Sequence, residues 1–252
     1  MLAPPILSRY PPLAYPAGRV PGFDPSHPAA NGAFLSCVAS GANFINVLSG
    51  NKGTITGTPV ASIIGAIGPG VNTISSSTAV VTFGTITTPA NLTMGAIVFP
   101  NTLQITNSAL LYLDSSTTAD ILGLINISSV SKWEVTLGTN VGLETSFAAV
   151  LGTPYFVAAS ISSVGTVNFV IMNLQNGQVL TATNLNTYPS LTTVTICVGG
   201  RSTTNSRQYN GPIACGMMTS NFMSLPQLLA WAQRPWDFWY PISKANSMGI
   251  FG

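Results

Sequence analysis

The acidic residues are the first place to look for chemistry, and this chain has few of them. Six occur among 252 residues: Asp24, Asp114, Asp120, Glu134, Glu144 and Asp237. Glycoside hydrolases need two carboxylates about 5–9.5 Å apart across the scissile bond. Glu134 and Glu144 could approach each other across a hairpin, but we interpret both as solvent-exposed charges on strands. We therefore predict that the chain is not an enzyme and has no catalytic residues.

The single histidine does not belong to a recognisable catalytic or metal site. His27 lies between Ser26 and Pro28, so a Ser–His–Asp triad would require the N-terminal segment to build the active site. No His or Cys stands at the spacing of metal ligands. Asp114 and Asp120 are candidates for calcium, but the loops hold few other carboxylates. No nucleotide-binding glycine pattern occurs either, so we predict no metal and no cofactor.

The three cysteines favour reduced thiols over a disulfide framework. Cys37, Cys197 and Cys215 are odd in number and widely separated along the chain, as is typical of buried cysteines in a protein that folds in a reducing cytoplasm. Cys197 and Cys215 could face each other on adjacent strands, and the sequence leaves that pairing open.

Composition excludes several classes of partner and favours association with other proteins. The net charge is only +2 and no basic stripe occurs, so we expect no nucleic acid. We expect no membrane insertion, since no run of about 18 apolar residues occurs, and the N-terminus lacks the pattern of a secretory signal. Because only 6% of residues are charged, the surface is prone to association, and we expect a homo-oligomer.

The first 30 residues contain eight prolines and predict an extended arm rather than a helix or an inner strand. Aromatic and basic residues are interleaved with these prolines, which a pure spacer would not need. We expect them to dock the arm on its own domain or on a partner, and the alternative is a disordered tail. The proposed docking residues are Arg9, Tyr10, Tyr15, Arg19 and Phe23.

Residues 31–240 predict one β-sandwich domain with a closing helix. Short β-type runs separated by turn residues fill 31–220, which indicates an all-β sandwich or barrel. Hairpins are predicted at "SSVG" (162–165) and at "QNGQ" (175–178), whose Asn-Gly pair suits a type I′ turn. No helical crossover separates the strands, which excludes a parallel α/β sheet.

A helix is predicted over 225–234, followed by an aromatic segment and a tail over 241–252. Ser224 and Gln227 form a capping-box pattern, and Pro235 ends the helix. We expect the aromatic residues after it to seal an end or an edge of the sandwich, with Trp236 largely buried.

The order of these motifs resembles the concanavalin A-like (laminin G-like) jelly-roll family. The stretch from "GTPYFVAASI" to "VLTATNL" is similar to that family's central strands, and "ICVGGRSTTNSRQYNGPIACGMM" is similar to its last loop and strand. "MSLPQLLAWAQRPWDFWYP" is similar to the ending of such domains in bacteriophage and prophage proteins. The paired acidic motif of related glucanases is absent.

The resemblance implies a protein of the virion, and two hypotheses about its role remain open. The first is a structural virion protein of a tailed phage, in the head decoration, neck or tail, that docks on other virion proteins through its arm. The second is a carbohydrate-binding adhesin module of a phage tail or fibre that binds host surface glycans. Its candidate residues lie in the polar loop 200–211 and are Arg201, Asn205, Arg207 and Tyr209.

Overall fold

The computed structural model describes most of the chain and shows a nearly all-β protein. The described residues are 23–64, 68–73, 79–101, 108–115, 121–127, 132–137, 140–188, 193–202 and 207–239. The N-terminal half of the domain consists of a short 3-10 helix (Pro28–Ala30) and the strands β1 (Ala33–Ser40), β2 (Asn43–Asn46), β3 (Thr54–Thr56), β4 (Val60–Ile64), β5 (Gly68–Asn72), β6 (Val80–Thr87), β7 (Leu92–Val98) and β8 (Ser108–Asp114). The C-terminal half consists of β9 (Ile121–Ile127), β10 (Lys132–Leu137), β11 (Asn140–Ala148), β12 (Tyr155–Ile161), β13 (Thr166–Asn173), β14 (Val179–Leu185), β15 (Thr193–Val198), β16 (Pro212–Thr219), α1 (Leu225–Gln233) and α2 (Trp236–Trp239).

The strands form two antiparallel sheets that pack face to face. In the nine-stranded sheet the order is β14-β13-β12-β7-β16-β1-β2, with β5 pairing β16 and β4 pairing β5. In the seven-stranded sheet the order is β11-β10-β9-β8-β15-β6-β3. The predicted all-β sandwich of jelly-roll type, with one short C-terminal helix, is therefore confirmed.

The core between the sheets follows the two-residue alternation of the strands. On β10, Trp133, Val135 and Leu137 all point into this core, and the Trp133 ring meets the Tyr155 ring edge-on at 5.4 Å. Residues at alternate positions must then lie on the outer face of the sheet, which leaves Glu134 and Thr136 on the far side from the core.

A layer of aromatic residues joins the closing helices to the outer face of the nine-stranded sheet. Trp231 of α1 is buried. The centre of its ring lies 4.9, 5.8 and 5.5 Å from the ring centres of Phe156, Phe238 and Trp239. A β-carbon at Gly95 of β7 would come within 2.3 Å of the Trp231 ring. Glycine at that position therefore lets the indole lie directly on the strand. The aromatic residues thus cover a face of the sandwich, where an end or an edge was predicted.

The closing helix begins where the sequence predicts and ends at Gln233, one residue earlier than expected. The Ser224 N–H donates to Gln227 Oε1 at 2.8 Å, which is one half of the predicted capping box. Trp236 packs against the aromatic layer and is mostly buried, in line with the prediction. Trp231, near the C-terminal end of α1, is buried more completely, because it faces the sheet. No helix among the described residues is long and apolar enough to span a membrane.

Both predicted hairpins form, but one turn differs from the expected type. Strands β12 and β13 are joined at 162–165, where the Gly165 N–H donates to Ser162 O. Strands β13 and β14 are joined through Gly177, whose φ is 73°. Asn176 is not among the described residues with positive φ, so the predicted type I′ turn is wrong. The turn is wider, and the Gly177 N–H donates to Asn173 O.

The three cysteines lie in three different layers and are all free and buried. Cys37 is in the core between the sheets, Cys215 is beneath the helices, and Cys197 is on the outer side of the seven-stranded sheet. The suggested facing of Cys197 and Cys215 on adjacent strands was therefore wrong. Burial raises the pKa of the Cys37 and Cys197 thiols to about 12, so both stay protonated at neutral pH.

The last part of the N-terminal segment is fastened to the closing helices. The Phe23 and Phe238 rings lie 6.4 Å apart, and the Asp24 N–H donates to Phe238 O at 3.0 Å. The ring of His27 contacts the Trp231 ring at 5.4 Å. Phe23 is thus packed on its own domain. The other four proposed docking residues, and the tail over 241–252, lie outside the described residues.

Candidate functional site

Four of the chain's few charged residues lie together on the outer face of the seven-stranded sheet, on the side away from the helices. We call this surface the polar face. On the strands it comprises Thr85, Thr87, Tyr112, Asp114, Glu134, Thr136, Thr193 and Thr195, and on the adjoining loop Arg201, Ser202 and Arg207. In a chain with only 14 charged residues, the presence of four of them here makes this face the candidate functional site.

Tyr112 is the centre of the polar face. The register of β8 and β9 places it opposite Gly123, and a β-carbon at Gly123 would lie 2.2 Å from the Tyr112 ring. The ring therefore lies across β9 toward β10, where Thr136 is opposite Gly123. Burial raises the pKa of the Tyr112 phenol above its usual range, although Arg207 and Arg201 both act to lower it.

A buried ion pair holds the loop against the strand. Nε and one terminal nitrogen of Arg201 donate to Asp114 Oδ1 at 3.1 and 3.0 Å. The other carboxylate oxygen accepts from the Ser202 N–H at 2.9 Å and from its hydroxyl at 3.0 Å. The Arg201 guanidinium also lies 5.6 Å from the centre of the Tyr112 ring. Removing either partner would leave a buried charge uncompensated, so this pair fixes the position of the loop.

Arg207 is the charged residue of the face that remains accessible. Its side chain is half-buried, and its guanidinium donates to the Tyr112 hydroxyl at 3.1 Å. It is the one described residue other than glycine with a positive φ, 88°. Such a conformation costs about 1–3 kcal/mol and is found preferentially at functional sites. The guanidinium carries five N–H donors, so donors remain for a ligand.

Four threonines extend the polar face beside this cluster. Thr193 pairs with Thr87, and Thr195 pairs with Thr85, on the neighbouring strands β15 and β6. Three of them are exposed and Thr195 is half-buried, while the alternate residues Val194 and Ile196 are in the core. Thr195 is also opposite Asp114 on β8. Hydroxyl groups that both donate and accept hydrogen bonds therefore lie next to the ion pair.

The carboxylate of Glu134 lies on the same face and is buried, 1% exposed. Its Oε1 accepts a hydrogen bond from the Thr136 hydroxyl at 2.8 Å. The register of β10 and β11 sets the backbone position of Glu134 opposite that of Glu144. Because the side chain of Glu134 is buried, our interpretation of it as a solvent-exposed charge was wrong.

The glycan-binding residues predicted from the polar loop do not share one environment. Arg201 and Tyr209 are 4% and 1% exposed, because the first is paired with Asp114 and the second packs in the core between the sheets. Asn205 lies outside the described residues. Arg207 alone combines partial exposure with a place on the polar face. Whether any of these residues binds a glycan stays a prediction.

Sequence reasoning missed Tyr112 and did not connect the loop with strand β8. The signal for Tyr112 was the two-residue spacing of Tyr112 and Asp114, which places both on one face of a strand. Asp114 was considered only as a calcium ligand. Among the described residues, no group of three or more His, Cys, Asp or Glu side chains is arranged to hold a metal ion.

Comparison with known proteins gives matches in structure alone. No protein-family model and no curated protein matches the sequence. Similar solved structures include the enzymatically active domain of tailspike protein 2 of bacteriophage CBA120, with 16% identity and a TM-score of 0.53 over 71% of this chain and 30% of the tailspike chain. Domain 4 of AbnA, a GH43 extracellular arabinanase of Geobacillus stearothermophilus solved with arabinotriose, matches at 16% identity and a TM-score of 0.55 over 72% of this chain and 88% of that domain.

A third similar structure is the sialidase of Trypanosoma rangeli in complex with sialic acid, with 15% identity and a TM-score of 0.57. It is matched over 79% of this chain and 32% of the sialidase. This chain thus spans less than a third of the tailspike and sialidase chains. At such identities the likeness shows a shared fold, a β-sandwich that occurs in proteins acting on or binding carbohydrates.

These matches overturn the prediction that the chain is not an enzyme. That prediction relied on the small number of acidic residues and on the interpretation of Glu134 and Glu144 as solvent-exposed charges. The sandwich is one that solved sialidases and an enzymatically active tailspike domain contain. The burial of Glu134, which is 1% exposed, also contradicts its interpretation as a solvent-exposed charge. The predicted resemblance to phage domains is supported only as a likeness of fold to a phage tailspike.

Proposed function

We propose that this chain is a carbohydrate-recognition domain of a phage tail protein, and that the polar face is its binding surface. The observation that carries the proposal is the strained, half-buried Arg207, which is held against Tyr112 beside the Asp114–Arg201 pair. Four of the chain's 14 charged residues lie on one outer face, next to exposed hydroxyl groups. Polar groups fixed in direction are what a ligand rich in hydroxyls requires for specific binding.

Each part of the polar face has a distinct role in this proposal. Arg207 contacts the glycan, because its planar guanidinium presents several donors to sugar hydroxyls or to a sugar carboxylate. Thr87 and Thr193 add hydroxyls that donate and accept hydrogen bonds. The buried pair of Asp114 and Arg201 positions the loop and makes no contact with the glycan. This arrangement replaces the sequence-based candidates Arg201 and Tyr209 with groups that solvent can reach.

The opposite face suits attachment to the virion. The helices and the described part of the N-terminal arm, from Phe23 to Ala30, lie on the nine-stranded sheet, on the side away from the polar face. Residues 1–22, which contain Arg9, Tyr10, Tyr15 and Arg19, would dock on another virion protein while the polar face remains free for host glycans. The likeness of the fold to a phage tailspike supports this placement.

The proposal is tested by glycan-array binding of the purified chain, followed by calorimetric titration of the glycans that bind. Arg207→Asn removes the guanidinium, and asparagine tolerates a positive φ better than most residues. A hydrogen bond to a charged group contributes about 1.5–3 kcal/mol, so the dissociation constant should rise about 10–100-fold.

The matched control is Arg234→Asn, which removes the same charge from an exposed side chain on the helical side. This variant should bind as the unchanged chain does. The proposal fails if no glycan binds, or if Arg207→Asn binds as tightly as the unchanged chain. Equal melting temperatures of the two variants would show that the loss is not due to unfolding.

A further inference from the structure

The nine-stranded sheet ends at β14, at β2 and, on a side branch, at the five-residue strand β4, and the seven-stranded sheet ends at β11 and β3. These edges differ in how they are protected against pairing with other chains. An edge strand exposes unpaired backbone groups, and proteins protect it by shortness, charge, proline or bulges. Strands β2 and β3 have only four and three residues. Strand β11 carries Glu144, and its pairing with β10 shifts register at two points. These three edges are therefore all protected.

Strand β14 has none of these protections. It has seven residues, it pairs with β13 without any shift in register, and it is exposed toward its C-terminal end. The stretch 175–188 contains no charged residue and no proline. Two large apolar side chains at the end of this edge, Val164 and Leu185, are 82% and 75% exposed. An uncharged, regular and exposed edge is a template for another strand.

The hydrogen bonds at the two ends of the β13–β14 pair show which residues face outward. Asn173 N–H donates to Gln178 O at one end, and Asn186 N–H donates to Gly165 O at the other. Because inward and outward positions alternate in an antiparallel ladder, the backbone groups of Val179, Thr181, Thr183 and Leu185 point away from β13. The Leu185 N–H is already bonded to the side chain of Asn184 at 2.9 Å.

We propose that β14 pairs with β14 of a second copy of this chain in an antiparallel, two-fold symmetric dimer. The open outward positions, Val179, Thr181 and Thr183, are centred on Thr181. A two-fold axis there places Thr181 opposite its own copy and Val179 opposite Thr183, so all three positions form ladder bonds. A two-fold axis one residue later, at Ala182, would place Val179 opposite Leu185. The Leu185 N–H already donates to the side chain of Asn184 and could not join the ladder.

A second copy is the occupant that the composition of this edge favours. In a two-fold pair each residue meets residues of the same segment, and this segment has no charge that would repel a copy of itself. Paired threonines are also favourable across antiparallel strands. Strand β11 lies beside β14 at the same side of the sandwich, so the dimer would cover the ends of both sheets. A strand of seven residues gives a contact line of about 24 Å.

The test combines sedimentation of the full chain with cysteine cross-linking. The molar mass of the unchanged chain measured by sedimentation should be twice that of the monomer. In the proposed register the two Thr181 α-carbons lie about 5.5 Å apart, within the range of a disulfide, so Thr181→Cys should form a covalent dimer under mild oxidation. The native cysteines are all buried, so they should add little cross-linking of their own.

Thr183→Cys is the matched control, because four residues of strand would separate the two copies of that position by about 13 Å. It should not cross-link in the dimer. The proposal is overturned if the full chain has the molar mass of a monomer in solution. Strand β14 would then have to pair with a different partner. Cross-linking of Thr183→Cys, or none with Thr181→Cys, overturns it as well.

Discussion

Replacing Trp231 by alanine should destabilise the domain more than any change at the less completely buried Trp236. Trp231 is 1% exposed, and its ring contacts His27, Phe156, Phe238 and Trp239. Removing a buried tryptophan costs about 3–5 kcal/mol. In a domain of this size, each kcal/mol lowers the melting temperature by about 2–4 °C. Trp231→Ala should therefore lower it by about 6–20 °C in a calorimetric or circular dichroism melt.

The contact with Gly95 allows a stricter test of the same packing. Because a β-carbon at Gly95 would lie 2.3 Å from the Trp231 ring, Gly95→Ala alone should cost about 1–3 kcal/mol through overpacking. In the Trp231→Ala background the space is empty, so the second substitution should cost little. The two changes should thus be strongly non-additive. Additive losses, or a Trp236→Ala variant as unstable as Trp231→Ala, would refute this account of the helix layer.

Two further predictions concern the N-terminal segment. Burial lowers the pKa of His27 below 6.5, against the opposing effect of Asp24 and Asp237, and the Ala29 N–H donates to its Nδ1 at 3.1 Å. The unfolded chain therefore binds the proton first, so stability should be lost as the pH falls through the usual pKa of histidine, near 6.5. Melts of His27→Asn should show a weaker pH dependence, and equal slopes would contradict this. A chain lacking residues 1–22 should melt as the full chain does but fail to join virions, because it keeps the contact of Phe23 with Phe238 and loses the residues proposed to dock. Undiminished incorporation would refute docking through the arm.

The strands, the hairpins and the closing helix could be predicted because each depends on residues near one another in the sequence. The alternation in "KWEVTL" predicts β10, and the capping pattern at Ser224 predicts where α1 begins. The same alternation does not tell whether the face opposite the core is open to solvent. Glu134 is buried on that face, so its assignment as an exposed charge failed.

The polar face could not be predicted because its residues meet only through the order of the strands. Asp114 and Arg201 are 87 positions apart, and they meet because β8 lies next to β15 in the sheet. Cys197 and Cys215 are closer in sequence, yet they belong to different sheets. The positive φ of Arg207 leaves no mark in the sequence, because such a conformation is imposed by the surrounding structure.

The central claim is that glycans bind on the polar face, and a structure of the chain with a glycan from the array tests it most directly. The account predicts sugar density on the outer face of the seven-stranded sheet, within hydrogen-bonding distance of the Arg207 guanidinium and near the Thr193 hydroxyl. Density on the helical side, or at an end of the sandwich away from Arg207, would contradict it.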